Sequence, residues 1–181
     1  MMKEIEVKIL DINRNKCEKT LISLGATKIF DGEIITFFYD YSDSSIQKAK
    51  NLLRLRKAGA KSFLTFKQYI EDSHAKVRKE FDVEVSDFDT THKILQGLGL
   101  TATLSVKKHR LSYILNDVHF EFDRHLDEYA YIPDFLEIEA KNIESLYQAA
   151  LLFGFKKEDC RPWSFFDVAA HYVKKKTSSQ G

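Results

Sequence analysis

The chain has 181 residues, of which 44% are hydrophobic and 30% charged, with a formal net charge of +1. That length suits one domain or a tight pair of half-domains with a proper core, and the near-zero charge excludes a protein that coats nucleic acid through a basic excess. The only cysteines, Cys17 and Cys160, give neither a disulfide framework nor a paired-cysteine metal motif.

Along the chain, residues 3–10 alternate charged and apolar side chains, the period of a half-buried strand. Residues 13–24 follow as a helix with Cys17, Leu21 and Leu24 on one face, stopped by Gly25. Residues 33–41, rich in Ile, Thr, Phe and Tyr, predict a second strand. Residues 51–57 and 62–69 alternate about Ala58-Gly59-Ala60 and predict a hairpin. Residues 77–85 continue the alternation, and 87–98 predict a helix with Thr90 or Thr91 near its start that ends at Gly99. Strands over 103–115 and 118–124 flank the turn Asn116-Asp117, and 134–140 make an eighth strand. Asn142 caps a helix over 142–153 that stops at Gly154. A last helix over 162–175 starts at Pro162 and ends in lysines, complementing the helix dipole. The expected organisation is one domain over 1–173 and a frayed tail over 174–181. No run reaches the ~18 apolar residues of a membrane span, and the N-terminal residues lack the apolar run of a secretory leader. A cytoplasmic protein without a nucleic-acid or membrane partner is expected, and a homodimer is compatible with the sequence.

Side chains alternate between the faces of a strand, so each strand divides in two. One face is apolar: Ile5, Val7 and Ile9; Leu53 and Leu55; Leu64 and Phe66; Phe81, Val83 and Val85; Phe120 and Phe122; Leu136 and Ile138. The other is charged, and the signs are sorted by strand. Arg54 and Arg56, Lys67, and Lys108 with Arg110 make three strands basic; Glu121 with Asp123 and Glu137 with Glu139 make two acidic. A surface built for solubility intersperses signs, because neighbouring like charges repel. Eight strands with the apolar face outward under four amphipathic helices can close into a barrel whose charges line the interior. Buried like charges need a partner. The cations suit a phosphate chain, since the arginine fork matches phosphate oxygens. The carboxylates suit a hard divalent cation such as Mg²⁺ or Mn²⁺. Six scattered histidines show no metal-binding spacing, and Trp163, Phe165, Phe166 and Tyr172 read as helix packing.

Glu4-Ile5-Glu6-Val7-Lys8 resembles the ExExK signature of the CYTH superfamily, which holds class IV (CyaB-type) adenylyl cyclases, thiamine triphosphatases and inorganic triphosphatases. Leu53-Arg54-Leu55-Arg56 resembles its LRxR strand, Thr65-Phe66-Lys67 its TxK, and Arg78 with Glu80, Asp82 and Glu84 its acidic strand. Lys108-His109-Arg110 resembles its KxR strand and Phe135-Leu136-Glu137-Ile138-Glu139 its closing strand. The resemblance implies an α+β fold with an eight-stranded antiparallel closed barrel, the triphosphate tunnel. It implies metal ligands at Glu4, Glu6, Glu137 and Glu139, and triphosphate binding by Lys8, Arg54, Arg56, Lys67, Arg78, Lys108 and Arg110. Catalytic roles fall to Glu6, Lys8 and Asp123, the last orienting metal or water. The expected activity is ATP cyclisation to cyclic AMP and pyrophosphate. The alternatives are a triphosphatase acting on thiamine or inorganic triphosphate and a non-catalytic nucleotide or polyphosphate binder. Two segments depart from the family's wording: Tyr129-Ala130-Tyr131-Ile132-Pro133-Asp134 lacks the glycine-rich turn, and Trp163-Ser164-Phe165 stands for Arg-Ser-Tyr.

Overall fold

The structure, a computed structural model, describes residues 5–70 and 77–178. It has eight strands: β1 (Ile5–Ile9), β2 (Thr27–Asp40), β3 (Leu52–Ala58), β4 (Lys61–Ile70), β5 (Val77–Val85), β6 (Thr101–Leu115), β7 (Val118–His125) and β8 (Phe135–Ala140). The helices are α1 (Arg14–Ser23), α2 (Ser45–Lys48), α3 (Phe88–Gly97), α4 (Ile143–Leu151) and α5 (Phe165–Ser178). The fold is α+β, and the pairs β1–β8, β2–β3, β3–β4, β4–β5, β6–β7 and β7–β8 are all antiparallel. The hydrogen-bonded strand order is β1-β8-β7-β6-β2-β3-β4-β5. Contacts group the chain into two compact units, residues up to 32 with those from 108 onward, and residues 33–107, so β2 and β6 each run through both. Among the described residues, no helix is long and apolar enough to cross a membrane.

In the first unit, alternation puts Val7, Ile9, Leu111, Phe120, Phe122, Leu136 and Ile138 on one sheet face, where α1 and α4 cover them with Cys17, Leu21, Leu146, Ala149 and Ala150. Complete burial of Phe122, Leu136, Ile138 and Leu146 contributes roughly 1.5–3 kcal/mol each before entropy is counted. Both helices start on a side-chain cap: Asn13 accepts from the Lys16 amide and Asn142 from the Ser145 amide, at 3.1 and 2.8 Å. Helix α1 closes on Gly25, at φ 81°, with the Ala26 amide reaching back to the Leu21 carbonyl. That left-handed step favours a residue without Cβ.

Helix α5 departs from the expectation that all helices cover the apolar face. Phe135 shares the opposite face of β8 with Glu137 and Glu139, yet it is buried against Val168 and Tyr172 of α5, with Tyr129, Ile132 and Phe165. The helix begins three residues beyond Pro162, where Ser164 and Asp167 cap each other, and it continues through Lys174 to Ser178.

In the second unit, Phe88 and Leu95 of α3 pack on Tyr39, Leu55 and Leu100, with Leu64 and Val85 at the margin. Asp87, the first residue of the expected helix, caps α3, accepting from the Thr90 amide at 2.6 Å. The expected apolar face of β5 is only partly covered. Helix α3 reaches Val85, while Phe81 and Val83 stay 47% and 55% exposed. The Lys79 ammonium lies over the Phe81 ring instead. Helix α2 was not expected. Buried Asp40 creates it by accepting from the Ile46 and Gln47 amides, both at 2.9 Å.

Candidate active site

The second face of the first unit is polar except at Phe135, and the pairing register orders it in rows. Glu6 faces Glu139, which faces His119. In the next row Lys8 faces Glu137, Glu137 faces Glu121, and Glu121 faces Ser112. Asp123 faces Phe135 on one side and Arg110 on the other, and His125 faces Lys108. Lys8, Arg110, Asp123 and Glu137 are all buried, from 1% to 8% exposed.

Such burial is tolerated only with close pairing. Arg110 grips Asp123 through two bonds of 2.6 Å, from Nε and Nη2. It also contacts Glu121 through Nη1 and Glu137 at 3.5 Å. The Lys108 ammonium donates to Asp123 at 2.6 Å. Lys8 lies 3.3 Å from both Glu6 and Glu137. Burial alone would raise the Asp123 and Glu137 pKa values. The adjacent Arg110, with Lys108 for Asp123 and Lys8 for Glu137, outweighs it and holds both well below the usual carboxylate range. Burial pushes Glu121 up, and its neighbours Glu137 and Asp123 add to the effect of desolvation against the pull of Arg110 and Lys108. For Lys8, Glu137 and Glu6 overcome the burial that would lower its pKa, so it stays charged.

Among the described residues, this face carries charges of both signs. Glu6, Glu121, Asp123, Glu137 and Glu139 stand against Lys8, Lys108 and Arg110. Glu6 and Glu139 lie directly opposite on neighbouring strands, an arrangement that a nearby cation favours. Their hard oxygens fit Mg²⁺ or Mn²⁺ in donor type. No three acidic, histidine or cysteine groups among the described residues already converge as a cage. Glu137 is taken up by Lys8 and Arg110, and Glu4 lies outside the described residues.

The second unit carries its own charged face. Arg54 faces Thr65 and Thr65 faces Asp82, while Arg56 lies between Thr36 and Phe63. Thr65 donates to Asp82 at 2.5 Å. Glu80 gathers Lys67 at 2.8 Å and Arg54 at 3.5 Å. The backbone of Arg78 lies in β5 opposite Tyr69, and its side chain is outside the described atoms.

His125 was overlooked in the sequence, where it sat among scattered histidines. It is 3% exposed, on the Asp123 side of β7, with its ring between Phe135 and Phe165. The signal was available, since it falls two residues after Asp123 and thus on the same strand face. Phe165 therefore packs, as expected, but it does so on the polar face.

A CYTH domain family model matches residues 2–150. A Methanocaldococcus jannaschii protein, MJ0240, named as a presumptive adenylate cyclase, is 26% identical over 141 residues, spanning 76% of this chain and 77% of its own. The solved structure of PH1012 from Pyrococcus horikoshii is similar with a TM-score of 0.72 at 28% identity, covering 92% of this chain and 99% of that one. HpAC1 from Hippeastrum, described as an adenylyl cyclase candidate with a dominant triphosphatase activity, shares the fold at a TM-score of 0.61 and 17% identity, over 93% and 94% of the two chains. With the family match spanning most of its length, the chain belongs to the CYTH family.

Proposed function

We propose that the chain is a divalent-metal-dependent enzyme acting on a small triphosphate, with ATP cyclisation to cyclic AMP and pyrophosphate as the leading reaction. The observation that carries this is the group of cations Lys8, Arg110 and Lys108, the first two buried, held in place by carboxylates on a face that also presents Glu6 opposite Glu139. Cations fixed before substrate arrives stabilise charge on phosphoryl oxygens without reorganising in the reaction. In cyclisation the ribose 3′-oxygen bonds to the α-phosphorus, the bond from that phosphorus to the leaving pyrophosphate breaks, and the hydroxyl proton passes to a base. Asp123 is a poor base, because Arg110 and Lys108 stabilise its charge and so weaken its affinity for the proton. Its part is to orient those two cations toward the phosphates. Lys8 adds a charge between Glu6 and Glu137. The CYTH resemblance assigns Arg54, Arg56, Lys67 and Arg78 to the same triphosphate, within a closed eight-stranded tunnel. A Mg²⁺ or Mn²⁺ ion held by Glu6 and Glu139, with Glu4 and Glu137 as the resemblance assigns them, would neutralise phosphate charge and polarise the phosphorus–oxygen bond.

The second reading is hydrolysis of thiamine or inorganic triphosphate. It uses the same cations, and HpAC1 shows that one protein of this fold can bear the cyclase name with a dominant triphosphatase activity. The test is product analysis with Mg²⁺ or Mn²⁺ and, separately, ATP, thiamine triphosphate and inorganic triphosphate. Cyclic AMP with pyrophosphate supports the cyclase, and orthophosphate without cyclic AMP makes it a triphosphatase. Binding without any product leaves only a polyphosphate-binding module.

A further inference from the structure

One end of the charged face in the first unit is built unlike the rest. The His125 ring is sandwiched between Phe135 and Phe165, with centroids 5.5 and 5.1 Å away and ring planes 25° and 22° apart. Tyr129 packs edge-on against Phe165 at 4.9 Å. Behind these rings stand Ile132 and Val168, both buried. The imidazole is held in one orientation by apolar contacts, yet its Nδ1 is buried and has no hydrogen-bond partner in the protein. A buried polar atom left unpaired costs free energy that a hydrogen bond would offset. A phenyl ring would complete the stack without that cost. An imidazole here therefore calls for a partner from outside the chain.

The neighbours define that partner. Lys108 is the cross-strand neighbour of His125, and its ammonium meets Arg110 at the shared Asp123 carboxylate. A group arriving beside these two cations is an anion, and burial next to Lys108 keeps the ring neutral, with one N–H to donate. Around the ring the polar face meets packed aromatic and aliphatic side chains, Phe135, Ile132, Phe165 and Val168 among them. A ribose or other substituent at this end would have to displace them.

We propose that His125 is a ligand-contacting, specificity-determining residue that donates its Nδ1–H to the terminal, unsubstituted phosphoryl group of a polyphosphate held by Lys108 and Arg110. The inference rests on the triphosphate reading of this face. It adds that the His125 end takes a bare chain terminus, whether from inorganic triphosphate or a nucleoside triphosphate, and rejects a triphosphate esterified on its terminal phosphorus.

The experiment is calorimetric titration with Mg²⁺ and inorganic triphosphate of the wild type, His125→Phe, His125→Asn and Lys108→Ala, with thermal midpoints recorded alongside. His125→Phe keeps the stack and should weaken binding about tenfold or more, the scale of one lost hydrogen bond to a charged acceptor. His125→Asn places an amide N–H near the position of Nδ1 and should recover most of the loss. Wild-type affinity in a folded His125→Phe alongside weakened Lys108→Ala overturns this inference and leaves the triphosphate reading standing. No binding by the wild type, or full binding by Lys108→Ala, removes both. Should His125→Phe fail to fold, NMR of the wild-type imidazole nitrogens decides. Added inorganic triphosphate should shift the His125 signal, and a signal that stays put at saturation overturns the inference.

Discussion

The sandwiched imidazole should leave a mark on stability that needs no substrate. Burial, with Lys108 and Arg110 nearby, lowers the His125 pKa from 6.5 to about 4. The folded state therefore disfavours the proton that the unfolded chain accepts. Above about pH 6.5 neither state is protonated at this ring, and the folded state keeps its full stability. As pH falls through 6.5 the unfolded state gains a proton that the folded state refuses, so stability drops until the folded ring also titrates near pH 4. At about 1.36 kcal/mol per pKa unit, the loss between pH 7 and 4 is roughly 3 kcal/mol. Other carboxylates titrate in the same direction at the acid end, so the clean quantity is the difference between wild type and His125→Phe. Urea unfolding at half-unit pH steps measures it. The variant should gain on the wild type by about 2 kcal/mol between pH 7 and 5. A difference that stays flat across that window would show that the ring is solvated and would refute the reasoning.

Three further outcomes follow from the same structure. Arg110→Met strands Asp123, Glu121 and Glu137 without their shared cation. It should cost roughly 3–5 kcal/mol in urea unfolding. Glu6→Gln removes a carboxylate whose side chain is 54% exposed, so the thermal midpoint should hold while metal-dependent turnover is lost. Gly25→Ala puts a Cβ at φ 81°, where open space surrounds it and only the backbone conformation is strained. A loss of about 1 kcal/mol, or roughly 2–4 °C in thermal midpoint, is expected.

Where one face of an element is buried, the sequence was a good guide. Val7, Ile9, Leu136 and Ile138 alternate with Lys8, Glu137 and Glu139, and period two alone separated core from charge. The glycines at 25, 99 and 154 marked the helix ends for the same physical reason in each case. The misses came where no periodic burial exists to read. Residues 27–31 of β2 are mostly exposed, so the strand begins well before its alternation does. Helix α2 owes its existence to one buried carboxylate, Asp40, rather than to any apolar stripe. Helix α5 looked like another cover for the apolar face. Its true seat is decided by Phe135, an apolar residue on the charged side of β8, and only the tertiary structure brings that residue to Phe165 and His125. The charged residues themselves were legible by strand parity, but the bonds among them were not. That Asp123 anchors two cations depends on side-chain distances that no sequence pattern encodes.

Strand β6 runs fifteen residues without interruption and belongs to both units. Because its facing alternates, deleting one residue near Val106 would exchange the roles of every side chain downstream unless a bulge absorbed the slip. Lys108 and Arg110 would turn into the apolar layer, and Leu111 and Tyr113 would turn toward the carboxylates. Point substitutions in β6 can be graded, but a change in its length is all or nothing. Insertions and deletions during divergence of this chain should therefore collect in the connections after β2 and β7, and not within β6.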